Sequence, residues 1–361
     1  MKRLTPKILL ILLTLNGAVY SQIRTTEFSF SFENKKYRGL IDLPSDGKPK
    51  STVVLIPGSG RTFFVEGNAY YELRAFFTNQ GFAVCTWDKA GCGKSEGTFD
   101  NQQPVQNSAE EALAAIKEIR YRKISDSGKI GLWGISRGGW ICPLIIERDP
   151  SISFWISVSG VDALDNFRYS LETNLKIEGR TDNELILLMD EFDFCTKHLR
   201  GGKTYDEFIS GTKHLFNDPY CKSLGMGLSN EKEFIEIQEY YEKSGFIYDE
   251  VTGLQILVPN FMETMQKVQC PVLAVLGEND TQVNWRQTKE LYEKTIGKNK
   301  YTSLTIKTLP NCNHNILTCK TGGFKENLNQ PGLGQPCDGY YDSMKLWLQK
   351  QGFVSKNKNR K

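Results

Sequence analysis

Apolar and polar positions alternate through residues 27–43, where EFSFSF and YRGLIDL flank a polar stretch that contains NKK. That period of two, broken by a polar turn, predicts an antiparallel hairpin. Continuous apolar runs bounded by turn residues follow. STVVLIPGSG stops at Pro57 and a glycine-rich turn, GFAVCTWD runs into KAGCGKSEG, KIGLWGI runs into Ser136, and SISFWISVSG makes a fourth run. Such runs suit strands buried on both faces. Between them the period lengthens. Residues 68–80 place Leu73, Phe76 and Phe77 on one side, residues 105–122 carry Ala109, Leu113, Ile116 and Ile119 along one face, and Arg137 to Glu147 carries Ile141, Leu144 and Ile145. These segments read as helices. Strand and helix therefore alternate from 51 to 160, which predicts a mostly parallel sheet with crossover helices.

The pattern changes over residues 161–265. Long helical segments at 181–198 and 230–243 appear, without a convincing buried strand. It then reverts. CPVLAVLGEND reads as a buried strand with a polar end, 283–297 as a helix and YTSLTIKTLP as a last strand. A loop rich in glycine and proline, 321–339, leads into a final helix, YYDSMKLWLQKQG. The expected layout is a signal peptide at 1–21, core at 22–160, a helical cap insertion at 161–265, core again at 266–353 and a basic tail at 354–361. No repeats are seen.

The start of the chain changes the picture of where it works. Lys2, Arg3 and Lys7 precede the apolar run ILLILLTLNGAVY, and Val19 and Ser21 sit three and one before Gln22. This is the form of a secretory signal peptide, and it predicts a secreted or periplasmic protein. An uncleaved anchor is the alternative, for which the run is short against a span of about 20 residues. No later window suits a bilayer span, so no stable membrane insertion is expected after signal removal. Loss of residues 1–21 removes three positive charges and no negative ones, taking the formal net charge from +3 to 0. No basic field is left to attract nucleic acid. A charged fraction of 24% with 39% hydrophobic residues excludes wholesale disorder.

Nine cysteines are compatible with disulfides in an exported protein, and the odd number leaves at least one unpaired within the chain. Cys85, Cys142 and Cys270 lie in apolar surroundings and are expected in the core. Cys312, Cys319 and Cys337 lie in loop-like sequence and are the better disulfide candidates. No close Cys-x-x-Cys pair suggests zinc.

The candidate chemistry sits at strand ends, where open α/β sheets place their ligands. Gly134-Ile135-Ser136-Arg137-Gly138 is a G-x-S-x-G pattern after a strand and before a helix, the context that exposes a nucleophilic serine. A serine needs a base. Of three histidines, His198 and His214 fall in the insertion, and His314 follows the last strand in LPNCNHNI. Asp280, at the end of VLAVLGEN, is the expected orienting carboxylate, with Glu278 in reserve. The oxyanion donors are expected to be the amides of Arg137 and of Ser59, in Gly58-Ser59-Gly60, with Gly60 in reserve. No metal and no organic cofactor is expected. GCGKS at 91–95 echoes a phosphate loop, but the first glycine of that motif would fall on Asp88. Its glycines are expected to shape a surface turn.

With these residues in view, the chain resembles the α/β-hydrolase superfamily over about 27–160 and 266–353. The phrases PGSGR, WDKAGCGKSEG and GISRGGW resemble secreted or periplasmic bacterial serine esterases and S9-like (EstD-like) hydrolases. The resemblance implies an α/β-hydrolase fold of about eight strands with flanking helices, a cap over the pocket, and a Ser–Asp–His triad onto which Ser136, Asp280 and His314 map. Where those relatives often carry Gln or Glu after the nucleophile, this chain has Arg137. The expected activity is carboxylic ester hydrolysis through an acyl-enzyme, on a small acyl ester. A peptidase or aminopeptidase acting on short peptides is the alternative, with Asp190, Glu191 and Asp193 as candidates to hold a substrate amine. A non-catalytic binding protein that kept the fold is the third reading.

Overall fold

The hairpin forms because Glu33 and Asn34 both take positive φ, 47° and 58°, the geometry of a tight turn whose twist matches its strands. It joins β1 (Arg24–Phe32) to β2 (Lys35–Leu43). The apolar runs become β3 (Ser51–Ile56), β4 (Phe82–Trp87), β5 (Ile130–Ile135) and β6 (Phe154–Val158), every residue of which is buried. A short pair, β7 (Ile247–Tyr248) and β8 (Gln255–Ile256), stands apart in a small antiparallel ribbon. The main sheet closes with β9 (Val272–Gly277) and β10 (Leu304–Leu309). The computed structural model describes residues 23–125, 128–329 and 334–355. The signal peptide expected at 1–21 and most of the basic tail, from residue 356 on, lie outside them.

The eight-stranded sheet has the order β1-β2-β4-β3-β5-β6-β9-β10. Its pairs from β4 to β10 are parallel, and β1–β2 and β2–β4 are antiparallel. This is the mostly parallel sheet with flanking helices and a helical insertion that the strand–helix alternation predicts. β4 lies on one side of β3 and β5 on the other, so the chain reverses direction across the sheet between β3 and β5. A crevice opens beyond the carboxyl ends at such a switch point.

Apolar clusters cover both faces. One face packs the helices Val105–Tyr121 and Gly138–Arg148 through residues such as Ala112, Ile116, Ile141 and Ile145. The other packs Tyr71–Asn79 and Tyr340–Lys350 through Leu73, Phe77, Met344 and Trp347. Arg74 in the first of those helices is almost fully buried, and it donates to both carboxylate oxygens of Asp42 on β2, at 2.6 and 3.0 Å.

The insertion has its own core. Leu171, Leu188, Phe192, Phe208, Leu215 and Phe234 form a cluster separate from those of the sheet, built by helices that include Phe167–Ile177, Asp182–His198 and Glu231–Ser244. Thr181 and Glu184 form a reciprocal capping box at the start of the long central helix. Phe261 and Met265 on the short helix Phe261–Gln266 pack into the sheet's cluster instead.

One expectation is corrected in the loop at 321–339, which contains the helix Phe324–Asn329. Glu326, inside that helix, accepts from the backbone amides of Lys320, Thr321 and Gly322. This local cap, four to six residues long, lies in a stretch whose glycines and proline read as loop.

Candidate active site

Ser136 follows β5 directly and takes φ 54°. A non-glycine residue pays strain to sit there, and such strain clusters at functional sites. The neighbours explain how the turn is tolerated. A Cβ at Gly138 would stand 2.9 Å from the Ile56 carbonyl oxygen, and one at Gly134 would stand 2.6 Å from Cys142 Sγ. The backbone is therefore pressed against β3 and against its own following helix, and only glycine fits. The Ser136 amide donates to Val158 O at the end of β6, at 3.0 Å.

His314 lies beyond β10 and is 6% exposed, and Asp280 lies beyond β9 and is 2% exposed. His314 Nδ1 donates to Asp280 Oδ2 at 2.8 Å. The other carboxylate oxygen accepts from the amides of Gln282 and Val283, both at 2.9 Å. Asp280 is thus fixed by its own turn and offers one oxygen to the imidazole, which leaves Nε2 for other work. Glu278 is exposed, and its residue engages through backbone atoms with Leu309 and Trp285.

The serine and histidine loops meet at the end of β6. Val158 O holds the serine turn, and the next residue, Ser159, donates from Oγ to His314 O at 2.6 Å. The Cys312–Cys337 disulfide and an Asn313–Asn327 side-chain bond brace the histidine loop further. Cys319 is free and buried, so of the three loop cysteines two pair. Cys85, Cys142 and Cys270 are buried and free.

Gly58 lies against the serine: a Cβ there would be 3.2 Å from Ser136 Cβ and 3.7 Å from its Oγ. The Gly60 amide donates to Asn101 Oδ1 at 3.0 Å. The amides of Ser59 and Arg137 have no acceptor among the described residues, and both residues line one small cavity at the switch point. Arg137 itself turns away, donating through Nη2 to Gln103 O. Burial lowers the pKa of its guanidinium, with Asp100 opposing.

The GCGKS turn wraps a carboxylate rather than an anion site. Asp88 is fully buried and accepts from the amides of Phe64, Val65 and Lys94.

The insertion approaches from the same end of the sheet. Tyr169 Oη donates to Asp280 O at 2.9 Å, Asn166 Oδ1 accepts from Asn284 N, and Asn174 Oδ1 accepts from Phe324 N. Within it lies a cavity of about 390 Å³ walled by Phe167, Phe192, Phe216, Met226 and Tyr241, with Gln102 from the core at its edge. The acidic candidates there are engaged or exposed. Asp193 pairs with Arg168 at 2.8 Å, Glu191 binds His214 Nδ1 at 2.6 Å, and Asp190 faces solvent. His198 packs at a tilt against Phe194, so neither histidine of the insertion joins the site. Among the described residues no cluster of His, Cys, Asp or Glu could hold a metal ion, and no helix is long and apolar enough to cross a membrane.

Sequence reasoning missed Ser159, Tyr169 and Lys89. Ser159 and Tyr169 act through contacts across long sequence separations. Lys89 comes two residues after β4, at the carboxyl end of the sheet, and its partners Gly58 and Gly60 are likewise remote in the chain.

A family model described as serine aminopeptidase, S33, matches residues 47–176. That segment holds Ser136 and stops before Asp280 and His314. An uncharacterized 31.7 kDa protein of the traX-finO intergenic region of Escherichia coli is 26% identical over 224 residues, 62% of this chain and 71% of that protein. Among solved structures, Est1E from Butyrivibrio proteoclasticus with bound ferulic acid superposes with a TM-score of 0.51 at 14% identity, covering 90% of this chain and 98% of that one. Proline iminopeptidase from Mycobacterium smegmatis gives 0.51 at 13% identity, over 91% and 99%. These two share their fold with this chain, the α/β-hydrolase fold.

Proposed function

We propose that this chain, with its α/β-hydrolase fold, is a serine hydrolase that cleaves carboxylic esters through Ser136, His314 and Asp280. The observation that carries the reading is the convergence at the end of β6, where Val158 holds the serine turn and Ser159 holds the loop of a histidine already bonded to a buried carboxylate. In this reading Ser136 Oγ attacks the substrate carbonyl carbon while His314 Nε2 takes its proton. Asp280 keeps Nδ1 protonated and stabilises the imidazolium. The amides of Ser59 and Arg137 receive the oxyanion. The carbonyl reforms, the leaving alcohol departs with the proton from His314, and an ester to Ser136 remains. Water, deprotonated by the same histidine, releases the acid.

The cavity of the insertion, with aromatic walls beside the polar Asp165, Thr196 and Arg200, is the candidate place for the acyl or leaving group. Peptide cleavage is the second reading, favoured by the serine aminopeptidase match. The engagement of Asp193 and Glu191 by partners within the cap weighs against their holding a substrate amine. The signal-like start supports a secreted or periplasmic location, which N-terminal sequencing at Gln22 checks.

The test is a paired screen of aryl and alkyl esters against aminoacyl amides on the purified protein, with Ser136→Ala alongside. Ester turnover lost in the variant, with a fluorophosphonate label found on Ser136, supports the reading. Full turnover in Ser136→Ala, or a label on another serine, overturns it. Faster cleavage of amides than of esters selects the peptidase.

A further inference from the structure

We propose that Lys89 is a positioning residue for the oxyanion site: its ammonium grips the carbonyls of Gly58 and Gly60 and so holds the Ser59 amide free and aimed at the reaction centre. The inference rests on the serine hydrolase reading and adds to it a residue outside the triad and the two amide donors.

Lys89 comes two residues after β4, so its side chain starts at the active end of the sheet. Its Nζ donates to Gly58 O at 2.5 Å and to Gly60 O at 2.8 Å. In a trans peptide the carbonyl and the next N–H point in opposite directions. Drawing the Gly58 carbonyl toward Nζ therefore sends the Ser59 N–H the other way. The following amide, on Gly60, is tied to Asn101 Oδ1. One loop thus has one amide bonded back to protein and one left for a ligand. Without the ammonium, the two carbonyls would lose a shared charged donor, and the Gly58–Ser59 peptide would be free to rotate. Donors aimed in advance at developing charge supply much of the rate in such sites.

Charged and titratable groups face Lys89 from several elements, and Asp100, in the loop before the helix Val105–Tyr121, lines the same cavity. Arg137 lies on the serine turn, Glu111 on the helix Val105–Tyr121, and Cys92 on the turn after β4. Burial pushes the Lys89 pKa down to about 8, Arg137 pushes it the same way, and Glu111 and Cys92 oppose. The grip should accordingly weaken as pH rises through that region, because the neutral amine is the poorer donor.

The test uses the full mature chain with Lys89→Met, Lys89→Gln and Lys89→Arg, on an aryl ester, with folding followed by circular dichroism and thermal melting. Lys89→Met and Lys89→Gln should lower kcat by about 10²–10³, the cost of losing one oxyanion donor, with little change in KM. Lys89→Arg should recover part of that loss. The unsubstituted enzyme should lose kcat above pH 8, and Lys89→Arg should lack that decline, since a guanidinium does not titrate there. Folded Lys89→Met and Lys89→Gln with unchanged kcat, a loss confined to KM, or an alkaline decline that persists in Lys89→Arg would overturn the proposal. If Lys89→Met and Lys89→Gln both fail to fold, the pH profile of Lys89→Arg decides alone. An unsubstituted enzyme that hydrolyses esters and is labelled on Ser136, beside an unimpaired Lys89→Met, overturns this inference and leaves the hydrolase reading standing. An inactive enzyme unlabelled at Ser136 overturns both.

Discussion

The two flanks of the candidate site are held by different forces. On the serine side the chain is fixed by shape: Ser136 sits at positive φ in a turn pressed so close to β3 and the following helix that side chains at 134 and 138 would collide. On the histidine side it is fixed by bonds between residues apart in the chain: the Asp280 carboxylate, the Ser159 hydroxyl, the Cys312–Cys337 disulfide and the Asn313–Asn327 side-chain bond. A turn fixed by shape is encoded in a few adjacent residues. A loop fixed by remote bonds is spread over the chain, and it should loosen piecemeal when those bonds are removed one by one.

The most severe expected break is at the proposed triad, where the flanks depend on each other. Ser136→Ala should lower kcat by about 10⁶ while leaving the melting transition nearly in place, because the hydroxyl contributes little packing, and a Ser136/His314 double variant should be scarcely worse than Ser136→Ala alone. Asp280→Asn should lower kcat by about 10⁴ through the wrong imidazole tautomer, with KM largely kept. A full-activity Asp280→Asn would point to Glu278 or another carboxylate.

Smaller effects separate the flanks. Replacing both Cys312 and Cys337 by serine opens a bridge across a sequence separation of 25. By the chain-entropy account this should cost about 3.5 kcal/mol in stability. Turnover should fall before the sheet unfolds, as judged by activity and circular dichroism along a urea titration. Gly138→Ala should instead cost about 1–3 kcal/mol by overpacking against Ile56, with turnover and folding falling together because the turn is part of the core. Coincident losses in both variants would erase the distinction between the flanks.

The smallest expected effect concerns acid. Burial opposes ionisation of Glu326, but the amides and hydroxyl around it outweigh burial and bring its pKa to about 2. A carboxyl depressed on folding stabilises the native state fully above its unfolded value, about 4.3, and loses that contribution as pH falls toward its folded one. Glu326→Gln should therefore flatten the acid dependence of stability between about pH 4 and 2 and barely alter it at neutral pH, measured by thermal melting across that range.

How much of this was legible follows the same division. Local signals were enough for the strand runs at 51–56, 130–135 and 272–277, because mainly apolar stretches of that length bounded by turn residues have few places to go but a buried sheet. The serine turn was legible too, since Gly134 and Gly138 stand beside the residue they accommodate. The helix Phe324–Asn329 was read as loop because it is short and flanked by Gly322, Gly323 and Pro331, and because the Asn174 side chain that receives its first amide, Phe324 N, lies 150 residues away. Lys89 was passed over for a similar reason. Its partners Gly58 and Gly60 are about thirty residues away and touch it only because β3 and β4 are neighbours in the sheet.

The sequence by itself determined the alternation of strand and helix, the place of the serine after β5 and the existence of a helical insertion, because each is a matter of periodicity and of residues adjacent in the chain. Only the tertiary structure decided that His314 meets Asp280, that Cys312 pairs with Cys337 and leaves Cys319 free, and that the Gly60 amide is bonded while the Ser59 amide is not. Each of these depends on which strand ends the sheet order brings side by side, and that order is set by packing both faces of the sheet at once.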